Sequence, residues 1–192
     1  MYPQDFKQTF KIENNDLTKQ IKIIDNFLPN YDEQYFMEKF KFLELESNYK
    51  PFKSYIGSDI HKNCTEYDEI IENIIFQANL FLKSCQSEIK QIVSKVLLVS
   101  DLSSAFSKHR HVDDSSYFQN GYTLSYHWMG ENNAGGTAFF PDFNEPTPLI
   151  QVPFKPNRLV IFPSRIPHEG YANKGTKNLS RRFIITLFTE LM

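Results

Sequence analysis

The chain has 192 residues, a formal net charge of -2, and a composition that is 41% hydrophobic and 15% aromatic. That length suits one sizeable core, and that hydrophobicity excludes a chain disordered throughout. There is no cationic excess to neutralise a phosphate backbone, so nucleic acid is not an expected partner.

The opening residues MYPQDFKQTF combine neither a cationic leader nor an apolar core, and no apolar run reaches membrane-spanning length. The expectation is a cytoplasmic protein with no membrane partner. Cys64 and Cys85 have no CxxC or CxxH context and are expected to be free thiols. With no linker, repeat or low-complexity stretch, residues 1–192 are expected to form a single domain. Within it, 1–92 supply an N-terminal strand and supporting helices, and 93–192 supply a β core.

In chain order, IKIIDNFLPNYDEQYFMEKFKFLELE begins as a short β-type run, breaks at Pro29 and resumes at helical spacing. Tyr35, Phe36, Phe40 and Leu43 share one face of that helix. A second helix is predicted through TEYDEIIENIIFQANLFLKSC, with Thr65 as its cap. Its stripe of Ile70, Ile71, Ile74, Ile75, Ala78, Phe81 and Leu82 requires a large partner surface.

From about Val93 the pattern changes to short apolar runs, VLLVS, YTLSYHW, GTAFF, RLVIF and RRFIITLF, separated by Gly, Pro, Asn and Asp. Short strands between turn signals predict a mainly β (α+β) chain, a sandwich or jelly roll with the two N-terminal helices packed on one sheet. Gly135 and Gly136 are expected to form a turn with positive φ. The polar segment DDSSYFQNG suits a lid or a surface loop equally well.

The stretch SKHRHVDDSS places His111 and Asp113 two positions apart in a chain with five histidines. An Asp stands at i+2 from a given His in about one case in twenty on average composition, so the pair alone says little. The downstream series gives it weight: a Gly-Gly pair, the strand NRLVIF, then PSRIPHEG with His168, then SRRFIITLF. Two imidazoles and one carboxylate on one face of a metal leave three positions open, the usual ligand set of non-haem Fe(II) oxygenases. His111, Asp113 and His168 fit that set. The i, i+2 spacing puts the first two on one side of an extended segment, and a jelly roll brings the third from a distant strand. His109 suits the rim of such a pocket, a place behind its ligands or a plain exposed position, and His127 and His61 receive no role.

HVD at 111–113, GGTAFF at 135–140, NRLVIFPSRIPHEG at 157–170 and RRFIITLF at 181–188 together resemble the 2-oxoglutarate and Fe(II)-dependent dioxygenases, in their prolyl-hydroxylase-like branch. The resemblance covers roughly residues 96–192. It implies a double-stranded β-helix, Fe(II) on His111, Asp113 and His168, and 2-oxoglutarate chelating the iron through its keto acid end. It also implies a basic residue on the last strand holding the far carboxylate. Arg182 is chosen over Arg181 because RFIITLF matches the Arg-aromatic-aliphatic run of the family. Period 2 then puts Ile184, Thr186 and Phe188 on its face, and a guanidinium forks onto a carboxylate.

On the strand YTLSYHWM, an inward-looking aromatic face of Tyr122, Leu124, Tyr126 and Trp128 makes Tyr126 a hydroxyl donor to 2-oxoglutarate. The implied reaction consumes O2 and 2-oxoglutarate, releases succinate and CO2, and hydroxylates a peptidyl (prolyl-like) or small-molecule substrate. The alternative is a cupin-like jelly-roll protein that binds metal without oxygenase activity. A metal-dependent isomerase or lyase on the same barrel is a further reading within enzymes.

Overall fold

The computed structural model describes residues 18–40, 52–56, 65–101, 110–113, 121–130, 135–171 and 181–192. Of these, 37–40, 52–56, 65–67, 96–101 and 181–182 are described by their backbone alone. In chain order the elements are β1 (Lys22–Asp25), α1 (Glu33–Phe40), β2 (Phe52–Ile56), α2 (Thr65–Ser84) and β3 (Ile89–Asp101). They continue with β4 (Gly121–Gly130), β5 (Gly136–Phe139), β6 (Ile150–Pro153), β7 (Arg158–Pro163), β8 (His168–Tyr171) and β9 (Arg181–Leu191).

The strands form two antiparallel sheets, a large one in the order β1-β7-β4-β9-β3-β2 and a small one in the order β6-β5-β8. An antiparallel bridge between His111 and His168 adds a further segment beside β8. The two sheets make a jelly roll, one of the two architectures that the spacing of strands and turns predicts, and the double-stranded β-helix that the resemblance implies.

Two apolar clusters explain why these runs became these elements. Between the large sheet and α2 lie Ile70, Ile71, Ile74, Ala78 and Leu82 of the helix, against Leu124, Tyr126 and Trp128 of β4 and Phe183, Ile185 and Leu187 of β9. The predicted helical stripe thus finds the large surface it requires. Between the two sheets lie Phe139, Val152, Val160, Phe162 and Ile166. Strand β7 contributes Leu159 and Ile161 to the first cluster and Val160 and Phe162 to the second. Burial on both faces is why its run is apolar without alternation.

The N-terminal part does more than support. β1 pairs with β7 and β2 pairs with β3, so strands from the first third of the chain form both edges of the large sheet. Asn157, held at φ 56, links this part to the core. Its side chain accepts from the Leu28 amide at 2.8 Å and donates to the Leu28 carbonyl at 3.0 Å. Helix α1 is capped by Asp32, whose Oδ1 accepts from the Tyr35 amide at 2.9 Å. Phe36 turns inward onto Trp128, with ring centroids 5.7 Å apart. Tyr35, expected on the same helix face, is half exposed and rests edge-on against Phe36. Leu43 and the side chains of Phe40 and Thr65 lie outside the described residues.

The glycine pair divides. Gly135 has φ 127, as a turn requires. Gly136 is instead a strand residue, where an added Cβ would stand 2.1 Å from the Val152 carbonyl oxygen, so close approach of β6 selects glycine there. Cys85 is a free, exposed thiol. Among the described residues no helix is long and apolar enough to cross a membrane.

Candidate metal centre

His111 and Asp113 lie on an extended segment stitched to the β7–β8 connection. The His111 amide donates to the His168 carbonyl at 2.9 Å, and the His168 amide returns the bond at 2.8 Å. Two residues on, the Asp113 amide donates to the Ser164 carbonyl at 2.9 Å. This pairing brings together all three residues the sequence singles out. His111 Nε2 stands 3.7 Å from Asp113 Oδ1, and His168 Nε2 stands 3.4 Å from Asp113 Oδ2. One donor atom from each residue fits within 4.8 Å of the others, and no other group of three or more such side chains does so among the described residues.

The site has a dry side and an open side. His168 is buried, with the rings of Phe162 and Phe139 at centroid distances of 5.0 and 5.9 Å. The His111 side chain is 45% exposed and that of Asp113 only 11%. Access is therefore past His111.

The donor chemistry suits a cation. The His168 Nδ1 lies 2.9 Å from the Ile166 carbonyl, which can only accept, so Nδ1 carries the proton and Nε2 presents its lone pair to Asp113. Burial pushes the His168 imidazole below its ordinary pKa, against the opposing pull of the Asp113 charge. A neutral imidazole nitrogen and a carboxylate oxygen, both acceptors, then face each other at 3.4 Å. A metal ion between them relieves that arrangement. Nitrogen and oxygen donors of this type suit a divalent first-row metal such as Fe(II).

Several supporting residues were not foreseen. Thr123 donates to Asp113 Oδ2 at 2.8 Å and stands 3.0 Å from the Ser164 hydroxyl. Arg110, next to His111, donates from one guanidinium nitrogen to the carbonyls of Asp142, Phe143 and Glu145 at 3.3, 2.9 and 2.6 Å. Its guanidinium carbon lies 3.4 Å above the Phe140 ring, and its Nε is 3.7 Å from Glu169, the neighbour of His168. Arg110 thus braces residues flanking both imidazoles. The available signal was alternation: Thr123, Ser125 and His127 are polar at every second position of an otherwise apolar strand.

Tyr126 is not brought to the triad. It lies fully buried on the α2 side of the sheet, where its hydroxyl donates to Asn157 Oδ1 at 3.1 Å. Burial raises its phenol well above the ordinary range. The expectation of an inward aromatic face is corrected for a physical reason: Leu124, Tyr126 and Trp128 are the side chains large enough to meet the helical stripe. Thr123, Ser125 and His127 take the barrel side instead. His127, given no role from sequence, is buried there, stacked on Phe154 at 4.7 Å, with Nδ1 accepting from the Lys155 amide at 3.2 Å. The backbone of Arg182 pairs with Gly130 on one side and Ser100 on the other. The Arg182 side chain, His109, His61 and residues 114–120 of the expected lid or loop lie outside the described residues.

No protein-family model and no curated protein sequence matches the chain. Solved structures do. A prolyl hydroxylase from Trichoplax adhaerens, in complex with a hypoxia inducible factor peptide fragment, is 19% identical, with a TM-score of 0.54 over 92% of this chain and 86% of that one. The non-heme alpha ketoglutarate dependent epimerase SnoN from nogalamycin biosynthesis is 12% identical, with a TM-score of 0.62 over 92% and 80%. AviO1 from Streptomyces viridochromogenes Tue57 is 13% identical, with a TM-score of 0.59 over 95% and 96%. SnoN has also been solved with Fe3+ and alpha ketoglutarate. Identities this low speak to architecture, and the chain shares the double-stranded β-helix fold of these structures, among them the non-heme alpha ketoglutarate dependent SnoN.

Proposed function

We propose that the chain is a 2-oxoglutarate and Fe(II)-dependent dioxygenase that hydroxylates a peptidyl (prolyl-like) or small-molecule substrate with release of succinate and CO2. The observation that carries this reading is the convergence of His111, Asp113 and His168, with the His168 lone pair set toward Asp113. These three residues would hold Fe(II). When bound with 2-oxoglutarate, the iron supplies the coupling of O2 reduction to substrate oxidation.

The chain's own groups do the rest. Burial of His168 against Phe139 and Phe162 excludes water from one side of the site and keeps the imidazole neutral. The Ile166 carbonyl holds the His168 proton at Nδ1. On β9, Ile184, Thr186 and Phe188 pair with the barrel-side residues His127, Ser125 and Thr123, and Arg182 is the next even position. Arg182 is the residue assigned to the far carboxylate of 2-oxoglutarate, through two parallel charge-assisted bonds. The substrate enters past the exposed His111.

The substrate class rests on the neighbours. The Trichoplax enzyme was solved with a peptide, while SnoN and SnoK are named an epimerase and a carbocyclase. The exposed free thiol Cys85 accords with a cytoplasmic location.

The test is anaerobic reconstitution with Fe(II), followed by 2-oxoglutarate, recording visible absorbance for wild type and Arg182→Ala. A weak metal-to-ligand band in the green, lost or weakened in the variant, is the expected result. Iron binding with no band in the wild type would overturn the cosubstrate assignment and favour the cupin-like alternative.

A further inference from the structure

Thr123 lies at the centre of the large sheet, 1% exposed, paired with Phe162 on one side and Phe188 on the other. A valine would fill that space equally well, and a buried hydroxyl is unfavourable unless bonded. The hydroxyl is bonded, and its bonds have a determined direction. The 2.8 Å bond runs from the Thr123 hydroxyl to Asp113 Oδ2, so it uses the single Thr123 proton. The Ser164 hydroxyl, 3.0 Å from Thr123 and 6% exposed as a residue, must then be the donor to Thr123. A directed chain runs from Ser164 to Thr123 to Asp113 Oδ2. The Ser164 backbone closes it, accepting from the Asp113 amide at 2.9 Å and donating to the Gly121 carbonyl at 2.9 Å.

We infer that Thr123 is a positioning residue for the metal: its hydroxyl, driven by Ser164, fixes the rotation of the Asp113 carboxylate so that its oxygens meet the two imidazoles. The bond from the Asp113 amide to the Ser164 carbonyl holds the backbone of Asp113, and Thr123 restrains the side-chain torsions that this leaves free. The inference rests on the metal reading above and extends it to a residue outside the three candidate ligands. It also explains the hydroxyl at a position where packing alone calls for none.

Metal-free protein is titrated with Mn(II) and with Co(II) against a chromogenic chelator, for wild type, Thr123→Val and Thr123→Ser, and thermal melting of each metal-free protein is recorded beside it. Thr123→Val is expected to weaken both metals by ~10- to 100-fold while its metal-free melting stays close to wild type. Thr123→Ser, which keeps the hydroxyl, is expected to restore affinity to within about threefold of wild type. Valine binding within about twofold of wild type, or serine falling as far as valine, overturns the inference while leaving the triad intact. A wild-type protein that binds neither metal overturns both readings. If the valine variant does not fold, Thr123→Ala and Ser164→Ala carry the same test, and wild-type affinity in both counts against the chain.

Discussion

The two faces of β4 belong to different environments although their residues are neighbours in sequence. Toward α2, Leu124, Tyr126 and Trp128 are 0% exposed and meet an aliphatic stripe, and the one polar atom on the Tyr126 ring is engaged by Asn157. Toward the small sheet, Thr123 and His127 are as deeply buried but bear groups that bond, and Ser125 between them is only half buried. The first face is a core that holds the sheet to the helix. The second faces the candidate site, and there Asp113 and Ser164 bond the Thr123 hydroxyl while the Lys155 amide bonds Nδ1 of His127. In a strand buried on both sides, aromatic bulk marks the structural face and hydroxyls and imidazoles mark the functional one.

Substitutions on the two faces should therefore have opposite signatures. The largest effect is expected at the site: Asp113→Ala should reduce Fe(II) or Mn(II) affinity by more than about 100-fold, with little change in the melting of the metal-free protein. Equilibrium dialysis with metal analysis measures the first and calorimetry the second. A collapse of the fold in that variant would break the distinction between the faces. Trp128→Ala should do the reverse, losing about 3–5 kcal/mol of unfolding free energy in urea through the cavity it opens between α1, α2 and the sheet. Its metal affinity, measured where the variant is still folded, should stay near wild type.

Tyr126→Phe sharpens the contrast, because it deletes only the hydroxyl on Asn157. A loss of about 1 kcal/mol with unchanged 2-oxoglutarate binding is expected, and weakened cosubstrate binding would return Tyr126 to the site.

The smallest effect lies at the sheet edge, away from both faces. Asp25 is bonded by Arg158 and Lys155, and the Arg158 hydrogen bond chiefly lowers its carboxyl from 3.8 to about 2. The folded pKa is depressed, so the stabilisation is present above the unfolded value of 3.8 and is lost as pH falls toward about 2. With the Asp25 side chain 39% exposed, solvent screening holds it below about 1 kcal/mol. Asp25→Asn should flatten the acid limb of the stability curve over that window by this amount.

Much of this was legible before folding. The stripe on α2 could be read from period alone, and the apolar run of β7 could be read as a strand, although its burial on both faces emerged only from the packing. His111, Asp113 and His168 were legible as a set because an H-x-D pair was followed, in order, by a distant histidine after an apolar strand. What could not be read was which way β4 faces. Alternation separates Thr123, Ser125 and His127 from Leu124, Tyr126 and Trp128, but only the position of α2 decides which row looks into the barrel. Gly136 was read as a turn residue because the carbonyl of Val152 that excludes a side chain comes from a strand fourteen or more residues away. Arg110 carried no signal, since its partners at 142, 143 and 145 reach it only through the long-range pairing of the sheets.

The most direct measurement is O2 uptake and succinate release by Fe(II)-loaded protein given 2-oxoglutarate, for wild type beside Asp113→Ala. The dioxygenase assignment predicts slow uptake in the wild type even without a substrate, dependent on 2-oxoglutarate, with succinate formed in step, and neither signal in the variant. Wild-type protein that binds Fe(II) yet consumes no O2 and forms no succinate would contradict it.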